Sequence, residues 1–268
     1  MKTITSRDND LVRHLTRIAN SSRARREARQ VLLDGEHLVS AWRDTRSLQG
    51  VVLVLRASRL ADARMAPWVD VEGVAETVAL ADPLFDRIAP VDSPTGLMAL
   101  APWPEERFPE TAGPGFVAML DRVQDPGNLG AILRSAAAAG ATGALLSPGC
   151  ADAWAPRSLR GGMGAQLCLP LRDNAALAQA ALDLDYPLVV ADGRSATSLF
   201  EMSLPRRCAI VIGSEGQGVS PVLLGAAHTK VHIPMEMGIE SLNAAAAATL
   251  VFFEWARQHG GLALSARS

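Results

Sequence analysis

Apolar positions near the start of the chain recur with two different periods. Leu11, Val12, Leu15 and Ile18 follow the spacing of one helix face, and a second, cationic helical stretch follows at 21–30. Next, "QVLLDGEHLVSAWRD" predicts a short strand that opens into a helix, and "LQGVVLVLRAS" predicts a buried strand. The N-terminal part is therefore expected to mix helices and strands.

Beyond residue 115, continuous apolar runs alternate with helical stretches at 129–139, 174–184 and 242–258. Strands that are buried on both faces have this continuous apolar pattern, so we expect a parallel sheet covered by helices on both sides. The predicted strands are "GFVAML" (115–120), "GALLSP" (143–148), "LVVADG" (188–193), "CAIVIG" (208–213) and "KVHIPM" (230–235).

A proline-rich stretch separates these two parts. "APWPEERFPETAGPG" holds four prolines and three glutamates and has no apolar period, which is typical of a linker. A chain of 268 residues is long enough for two modest domains. We therefore predict a first domain at 1–103, a linker at 104–114 and a second domain at 115–268.

Composition narrows the class of protein. With 49% apolar and 20% charged residues, neither a disordered chain nor a coiled coil is expected. No apolar run is long enough to span a membrane, and "MKTITSRDND" turns polar where a signal peptide would turn apolar, so we predict a cytoplasmic protein. Cys150, Cys168 and Cys208 lack C-x-x-C spacing, so neither a disulfide framework nor a zinc site is predicted.

The net charge of −2 hides an uneven distribution. A charge run of this kind is either a solvated helix face or a surface for a polyanion. Residues 1–29 hold only three acids, Asp8, Asp10 and Glu27, against eight bases: Lys2, Arg7, Arg13, Arg17, Arg23, Arg25, Arg26 and Arg29.

Three loops that follow predicted strands carry candidate chemistry, because ligands of open α/β sheets collect beyond the carboxyl ends of the strands. The first, "DRVQDPGNLGAILR", offers Asn128 as a possible N-cap. Arg134 is the one charge in a helix of Leu, Ile, Ala and Ser that should be buried almost all round. A buried guanidinium needs an anion, either a ligand or an acid such as Asp121, Asp125 or Glu215.

The second loop, "VIGSEGQGVS", is rich in glycine. Gly213, Gly216 and Gly218 are spaced G-x-x-G-x-G, the reverse of the dinucleotide fingerprint, which disfavours a nicotinamide oxidoreductase. The loop instead offers flexible backbone beside one carboxylate, Glu215, able to approach a flat ligand closely.

The third loop, "IPMEMGIESLNAAAAATLVFFEW", leads into a helix with no charge between Glu240 and Glu254. Ser241 and Asn243 stand at the start of this helix. Ordinary capping accounts for one of them, which leaves the helix end open to a ligand or to a close partner helix.

In this order, the three loops resemble the three motifs of the SpoU, or TrmH, family of RNA 2′-O-ribose methyltransferases in the SPOUT superfamily. The motifs are N-x-G-x-x-x-R (128–134), I-G-S-E-G-x-G (212–218), and I-P-M followed by S-L-N (241–243). The resemblance covers 115–258, and "LRGGMGAQLCLP" looks like the family's connecting segment. "ITSRDNDLVRHLTRIANSSRARREARQVLLDGEHLV" and "SPTGLMALAP" look like a substrate-binding domain similar to the ribosomal protein L30e fold.

The resemblance implies an α/β fold: a C-terminal parallel-sheet SPOUT domain with a deep trefoil knot, plus a smaller N-terminal α/β L30e-like domain. It implies a homodimer in which both subunits contribute to each active site. The implied activity is S-adenosylmethionine-dependent methylation of a ribose 2′-hydroxyl in RNA, without a metal. The N-terminal domain favours ribosomal RNA; transfer RNA and a non-catalytic RNA-binding protein are the alternatives, the latter expected to lack Arg134, Asn128 or S-L-N.

The resemblance also assigns residues. Gly213, Ile233 and Leu242 would contact S-adenosylmethionine through their backbones, with Ser241 as a nearby donor. Arg134 corresponds to the family's essential arginine, and because arginine keeps its proton at neutral pH, we expect it to stabilise the developing alkoxide or to bind the neighbouring phosphate.

Further residues complete the assigned site. Asn128, Glu215 and Asn243 would position the ribose and Arg134, with Ser241 beside them. Asp125 stands where the family often has Asn, and either residue can fix that turn. Basic residues can hold RNA phosphates without reading sequence, and the arginines expected to do so are Arg7, Arg23, Arg25, Arg26, Arg29 and Arg160.

Overall fold

The computed structural model describes residues 1–91, 93–105, 115–239 and 241–260. Its contacts divide the chain into two units, Met1–Glu105 with Trp154–Leu167, and Glu106–Ala153 with Cys168–Ser268. The predicted second domain includes 154–167, whereas the structure groups this segment with the first unit, where helix Pro156–Gly162 packs on strand Gln30–Asp34. Most of the predicted linker, 106–114, lies outside the described residues.

The first unit is built on a five-stranded mixed sheet with strand order β1-β4-β3-β5-β2. Strand β4 is parallel to β1 and β3, whereas β5 is antiparallel to β3 and β2. The strands are β1 (Lys2–Ile4), β2 (Gln30–Asp34), β3 (Val52–Arg56), β4 (Glu76–Leu80) and β5 (Leu97–Pro102). The helices are α1 (Asp10–Asn20), α2 (Ser22–Ala28), α3 (Glu36–Thr45), α4 (Ala66–Val69), α5 (Asp82–Ile88) and α7 (Pro156–Gly162).

The predicted N-terminal helices are confirmed. Helix α1 buries Val12, Leu15 and Ile18, and the side chain of Asn9 caps its first turn by accepting from the Leu11 N–H. Strands β1, β4 and β5 were not predicted from the sequence pattern. Strand β1 has only three residues, and β4 and β5 pair with β3 on its two sides. The structure confirms an N-terminal α/β unit; its likeness to the L30e fold stays a prediction.

The second unit is built on a six-stranded sheet in which every paired strand is parallel, with order β11-β9-β10-β6-β7-β8. Its strands are β6 (Gly115–Asp121), β7 (Gly143–Leu146), β8 (Leu171–Arg172), β9 (Leu188–Ala191), β10 (Arg207–Gly213) and β11 (Thr229–Val231). Its helices are α6 (Pro126–Ala138), α9 (Leu177–Leu184), α10 (Pro221–Ala226) and α11 (Ala244–His259), while α8 (Ala165–Cys168) lies at the unit boundary.

Helices cover both faces of this parallel sheet, which confirms the predicted architecture. On one face, the Phe116 ring of β6 packs against Phe252 and Trp255 of α11, with ring centroids 5.1 and 5.0 Å away. On the other face, Val117 and Met119 share a buried cluster with Leu177 and other residues of α9 and α10. Three predicted strands are shorter in the structure: β7 ends at Leu146 rather than at 148, β9 at Ala191 rather than at 193, and β11 at Val231 rather than at 235.

The strand order positions the site. From β6 the sheet continues to β7 on one side and to β10 on the other, and β9 and β11 follow β10. In parallel sheets, the crevice beyond the carboxyl ends at such a reversal gathers the loops that bind ligands. Among the described residues, no helix is both long enough and apolar enough to span a membrane.

Candidate active site

A cleft lies beyond the carboxyl ends of β9, β10 and β11, within the second unit. Backbone and side chains of the loops that follow these three strands form its walls, and the first turn of α11 contributes Ala244 and Ala247. Apolar side chains lie beside a few polar ones, as in sites for small organic ligands. The loop residues that line it are Asp192, Gly193, Gly213, Ser214, Glu215, Gly218, His232, Ile233, Met235, Ser241 and Leu242.

This cleft brings together all four residues assigned to the cofactor. Gly213 comes from the end of β10, Ile233 from the stretch after β11, and Ser241 and Leu242 from the residues before α11. These residues are distant in sequence. They meet because β10 and β11 lie on either side of β9 in one parallel sheet.

The glycine-rich loop folds tightly back on itself. Ser214 and Gly218 exchange two backbone hydrogen bonds, of 3.2 and 2.9 Å, and Gly218 has a φ of +65°. A Cβ added to Gly213 would lie 2.2 Å from the backbone carbon of Gly218 and 2.4 Å from the Val219 nitrogen. The sequence analysis expected flexible glycines here; the structure shows that Gly213 is required by the close approach of another backbone segment.

A hydrogen-bond network joins the three motif loops. The Asn128 side chain donates through Nδ2 to Glu215 Oε1 at 2.6 Å, and its Oδ1 accepts from Asn243 Nδ2 at 3.0 Å. Asn243 is also the N-cap of α11, since its Oδ1 accepts from the Ala245 and Ala246 N–H groups at 2.9 and 3.3 Å. The three residues assigned to ribose positioning therefore lie in direct contact.

The structure corrects the possible role of Asn128 as a helix cap. Helix α6 begins at Pro126, and Asp125 is its N-cap, with a carboxylate oxygen that accepts from the Asn128 N–H at 2.8 Å. Proline suits the first helical position because its φ is already helical and it has no N–H to satisfy. The Asn128 side chain, one turn further on, is left to bridge Glu215 and Asn243.

Arg134 is exposed, which corrects the prediction that it would be buried. The apolar residues of α6 pack on the sheet and on α11, but Arg134 lies on a face that the described residues leave uncovered. It forms no ion pair or hydrogen bond within the described part of the chain, so the acids considered for it do not hold it there. Asp121 contacts Arg122, and Glu215 contacts Asn128.

Five of the six arginines assigned to RNA are exposed in the first unit: Arg7, Arg23, Arg26, Arg29 and Arg160. Arg25 is the exception and corrects that assignment. Its side chain is buried and donates through Nη1 to the Ile18 and Ala19 carbonyls at 2.7 and 3.3 Å, near the C-terminal end of α1. A charged group can be buried at a helix C-terminus because the last carbonyls lack helical partners and carry partial negative charge.

At least three of the exposed arginines have local partners. Arg23 Nε donates to Glu27 Oε1 at 2.6 Å. The Arg29 guanidinium lies 5.6 Å from the Trp103 ring centroid, a cation–π distance. Arg160 Nη1 lies 3.5 Å from Asp34 Oδ2. Burial raises the pKa of the Asp34 carboxyl above its ordinary range, and the charge of Arg160 opposes this shift. Arg160 remains 55% exposed and can still meet an anion from solvent.

Asp192, His232 and Met235 also line the cleft and were not assigned to the site from the sequence. The sequence pattern placed them inside the predicted strands 188–193 and 230–235. The structure ends these strands at Ala191 and Val231, so the three residues lie in loops at the shared carboxyl edge of the sheet. Among the described residues, no group of His, Cys, Asp and Glu is arranged to hold a metal ion.

Comparisons with known proteins agree with this geometry. Residues 115–253 match the model of the SpoU rRNA methylase family. The chain is 31% identical over 265 residues to the "Uncharacterized tRNA/rRNA methyltransferase slr1673" of Synechocystis sp., covering 95% of this chain and 93% of that one. It is 28% identical over 255 residues to the 23S rRNA (guanosine(2553)-2′-O)-methyltransferase RlmP of Bacillus subtilis, covering 94% and 98%.

Solved structures are similar along the whole chain as well. The SpoU methyltransferase AviRb from Streptomyces viridochromogenes, in complex with the cofactor AdoMet, matches with a TM-score of 0.82 and 25% identity, covering 94% of this chain and 98% of that one. AdoMet is S-adenosylmethionine. The structural neighbours are SpoU methyltransferases, which have a knotted SPOUT fold.

Proposed function

Because the chain belongs to the SpoU rRNA methylase family, we propose that it transfers the methyl group of S-adenosylmethionine to a ribose 2′-hydroxyl of ribosomal RNA in the cytoplasm. The observation that carries the proposal is the direct contact of Asn128, Glu215 and Asn243 at the mouth of a cleft lined by the four residues assigned to the cofactor. Ribosomal RNA is favoured by the name of the Bacillus subtilis relative and by the cationic N-terminal unit.

The residues of the cleft fit S-adenosylmethionine. Gly213 brings side-chain-free backbone to the wall of the cleft, where a flat ring could lie against it, and Ile233 and Leu242 supply apolar contact. The hydroxyls of Ser214 and Ser241 and the carboxylate of Asp192 can bind the ribose hydroxyls and the charged amino-acid end. When bound, the cofactor supplies a methyl group attached to a positively charged sulfur, and this sulfur becomes the neutral thioether of the leaving group.

Residues of this chain orient the acceptor ribose and stabilise the negative charge that develops on its 2′-oxygen. Asn128, held between Glu215 and Asn243, is fixed in one orientation and can direct its remaining hydrogen-bonding capacity at a ribose. The 2′-hydroxyl would release its proton to solvent water as the methyl group is transferred, because Arg134 keeps its own proton at neutral pH. The Arg134 guanidinium stabilises the negative charge that develops on that oxygen, or binds the phosphate beside it.

We further propose that the active enzyme is a homodimer in which Arg134 serves the cleft of the partner subunit. Arg134 is exposed and does not line the cleft of its own chain. On α11, Ala246, Leu250 and Phe253 lie at the spacing of one helix stripe, and Leu250 is 40% exposed. Ala246 and Leu250 are exposed and Phe253 is half-buried, and α11 packs on α6, the helix that carries Arg134. A partly exposed apolar stripe of this kind is typical of a surface that a second subunit covers.

Methyl transfer itself tests the proposed function. The purified chain should move labelled methyl from S-adenosylmethionine onto ribosomal RNA, and the modified dinucleotide should resist alkaline cleavage, because a 2′-O-methyl group blocks attack on the neighbouring phosphate. Ribosomal and transfer RNA should be tested side by side. Label on a base, or none on either RNA, would refute the reaction; label on transfer RNA alone would correct the substrate.

The cationic segment of the first unit should govern the salt dependence of RNA binding. We expect Arg23→Gln, Arg26→Gln and Arg29→Gln together to weaken binding and to reduce the slope of log affinity against log salt by about 2, because each lost phosphate contact to a single strand removes roughly 0.7. Filter binding from low to high salt measures this. The control triple changes exposed arginines outside the segment, Arg59, Arg64 and Arg87. If the two triple variants show the same slope of log affinity against log salt, the cationic segment is only a solvated helix face.

A further inference from the structure

A buried carboxylate lies at the carboxyl end of β6, beside the cleft. The side chain of Asp121 is only 5% exposed. Its Oδ2 accepts from the Ser220 N–H at 2.7 Å, and its Oδ1 accepts from Ser147 Oγ at 3.2 Å. A charge this deeply buried is tolerated only when it is paired and hydrogen-bonded, so these contacts hold their donors strongly.

Asp121 fixes both ends of the loop at 214–220. Gly213, directly before the loop, pairs with Asp121 in the parallel ladder of β10 and β6. Ser220, the last loop residue, donates its backbone N–H to the Asp121 carboxylate. The loop carries Glu215, the partner of Asn128, so the position of Glu215 depends on a residue of the neighbouring strand.

Arg122 adds a tie in the middle of the same loop. Its Nε lies 3.5 Å from Asp121 Oδ1, and its Nη1 donates to Gln217 Oε1 at 3.1 Å. Arg122 has a φ of +57°, in the left-handed region that side chains other than glycine disfavour. The backbone N–H of Arg122 donates to Ser147 Oγ at 2.9 Å, and the same hydroxyl donates to Asp121. This hydrogen bond holds the left-handed backbone of Arg122 in place.

We propose that Asp121 and Arg122 are positioning residues, which hold loop 214–220 so that Glu215 meets Asn128. The buried charge of Asp121 anchors the loop ends and Arg122, and Arg122 in turn holds Gln217. Neither residue is required to touch the substrate; both act through Glu215. The inference rests on the proposed function, since the role of Glu215 comes from that function.

A double-mutant cycle tests the coupling. Asp121→Asn keeps the size of the side chain and removes its charge. We expect it to lower kcat at saturating S-adenosylmethionine and RNA by about 10-fold, and to change kcat by less than about 2-fold when Glu215→Gln is already present, because residues of one network do not contribute additively. The same loss in both backgrounds, or no loss in either, would overturn the proposal.

Hydrogen exchange gives a readout that does not depend on activity. In Asp121→Asn, the Ser220 amide and the amides of loop 214–220 should exchange faster, because the Ser220 N–H loses a charged acceptor. Unchanged exchange would refute the positional role even in an active enzyme. If wild-type protein transfers no methyl while this exchange effect is present, the proposed function fails and the loop anchor stands.

Two further variants keep the test possible if Asp121→Asn does not fold. Arg122→Met changes a half-buried side chain, 34% exposed, and Gln217→Ala changes an exposed one. Each should lower kcat without changing the salt dependence of RNA binding. Arg207→Met is the matched control, because Arg207 lies at the amino end of β10, over the Tyr186 ring, at the opposite edge of the sheet. A loss with Arg207→Met equal to that with Arg122→Met would overturn the proposal.

Discussion

Arg134→Ala should lower kcat by about 10³-fold while the affinity for S-adenosylmethionine changes little. Removing one group that stabilises developing charge costs roughly 10²–10³ in rate, and the loss is larger when the same group also binds a phosphate. Because Arg134 does not line the cleft of its own chain, the cofactor's contacts should survive the change. Single-turnover methyl transfer and calorimetric titration of S-adenosylmethionine measure the two quantities.

Arg134→Lys separates the two roles of the charge. Lysine keeps the positive charge but loses the planar fork that binds phosphate through two hydrogen bonds, so an intermediate rate is expected if Arg134 grips a phosphate. Near-normal turnover of Arg134→Ala would refute the assignment. A loss of cofactor affinity equal to the loss of rate would place Arg134 in the cofactor site instead.

The second large effect is expected at Gly213. Alanine there would place its Cβ 2.2 Å from the Gly218 backbone carbon, a distance that real structures do not tolerate. The loop must move away from β10, and overpacking of this kind costs about 1–3 kcal/mol. Since the loop forms one wall of the cleft, we expect Gly213→Ala to weaken S-adenosylmethionine binding by roughly 10–100-fold.

Gly216→Ala is the matched control for this change. Gly216 lies in the same loop, but a Cβ there would meet no atom within 4 Å. Binding should therefore stay within about 2-fold of wild type, which is the size of effect expected for exposed positions. Equal losses for both variants would show that general flexibility of the glycine loop matters, and not the close approach at Gly213.

The two impaired variants together test whether Arg134 acts across a dimer, at a concentration of S-adenosylmethionine that saturates the wild-type cleft and leaves the Gly213→Ala cleft mostly empty. In a mixed dimer of Arg134→Ala and Gly213→Ala subunits, one subunit keeps an intact cleft and the other keeps Arg134. Activity should reappear on mixing after subunit exchange if Arg134 serves the partner subunit. If Arg134 serves its own cleft, neither subunit is complete and the mixture stays inactive.

The strands of the second unit could be predicted because burial on both faces of a parallel sheet leaves continuous apolar runs such as "GFVAML" and "CAIVIG". The cofactor residues Gly213, Ile233 and Leu242 could be named because the three motifs resemble those of a known family. Their meeting in one cleft follows from the shared carboxyl edge of a parallel sheet.

The sequence did not predict correctly whether individual charged residues are buried or exposed. Composition predicted Arg134 to be buried and Arg25 to be exposed, and the structure shows the reverse for both. The sequence of a helix shows which residues are apolar, but tertiary packing decides which face of the helix is covered. For Arg25, the free carbonyls at the end of α1 decide where the side chain points.

Contacts between loops likewise arise only on folding. Asp121, Arg122 and Gln217 are separated by up to 96 positions and meet because β6 and β10 are adjacent in the sheet. Local pattern thus determined helix α1, most strands of the second unit and the positions of the motifs, since periodicity and spacing are properties of neighbouring positions. Tertiary structure alone decided how Glu215 is held, because hydrogen bonds and burial depend on strands that are distant in the chain.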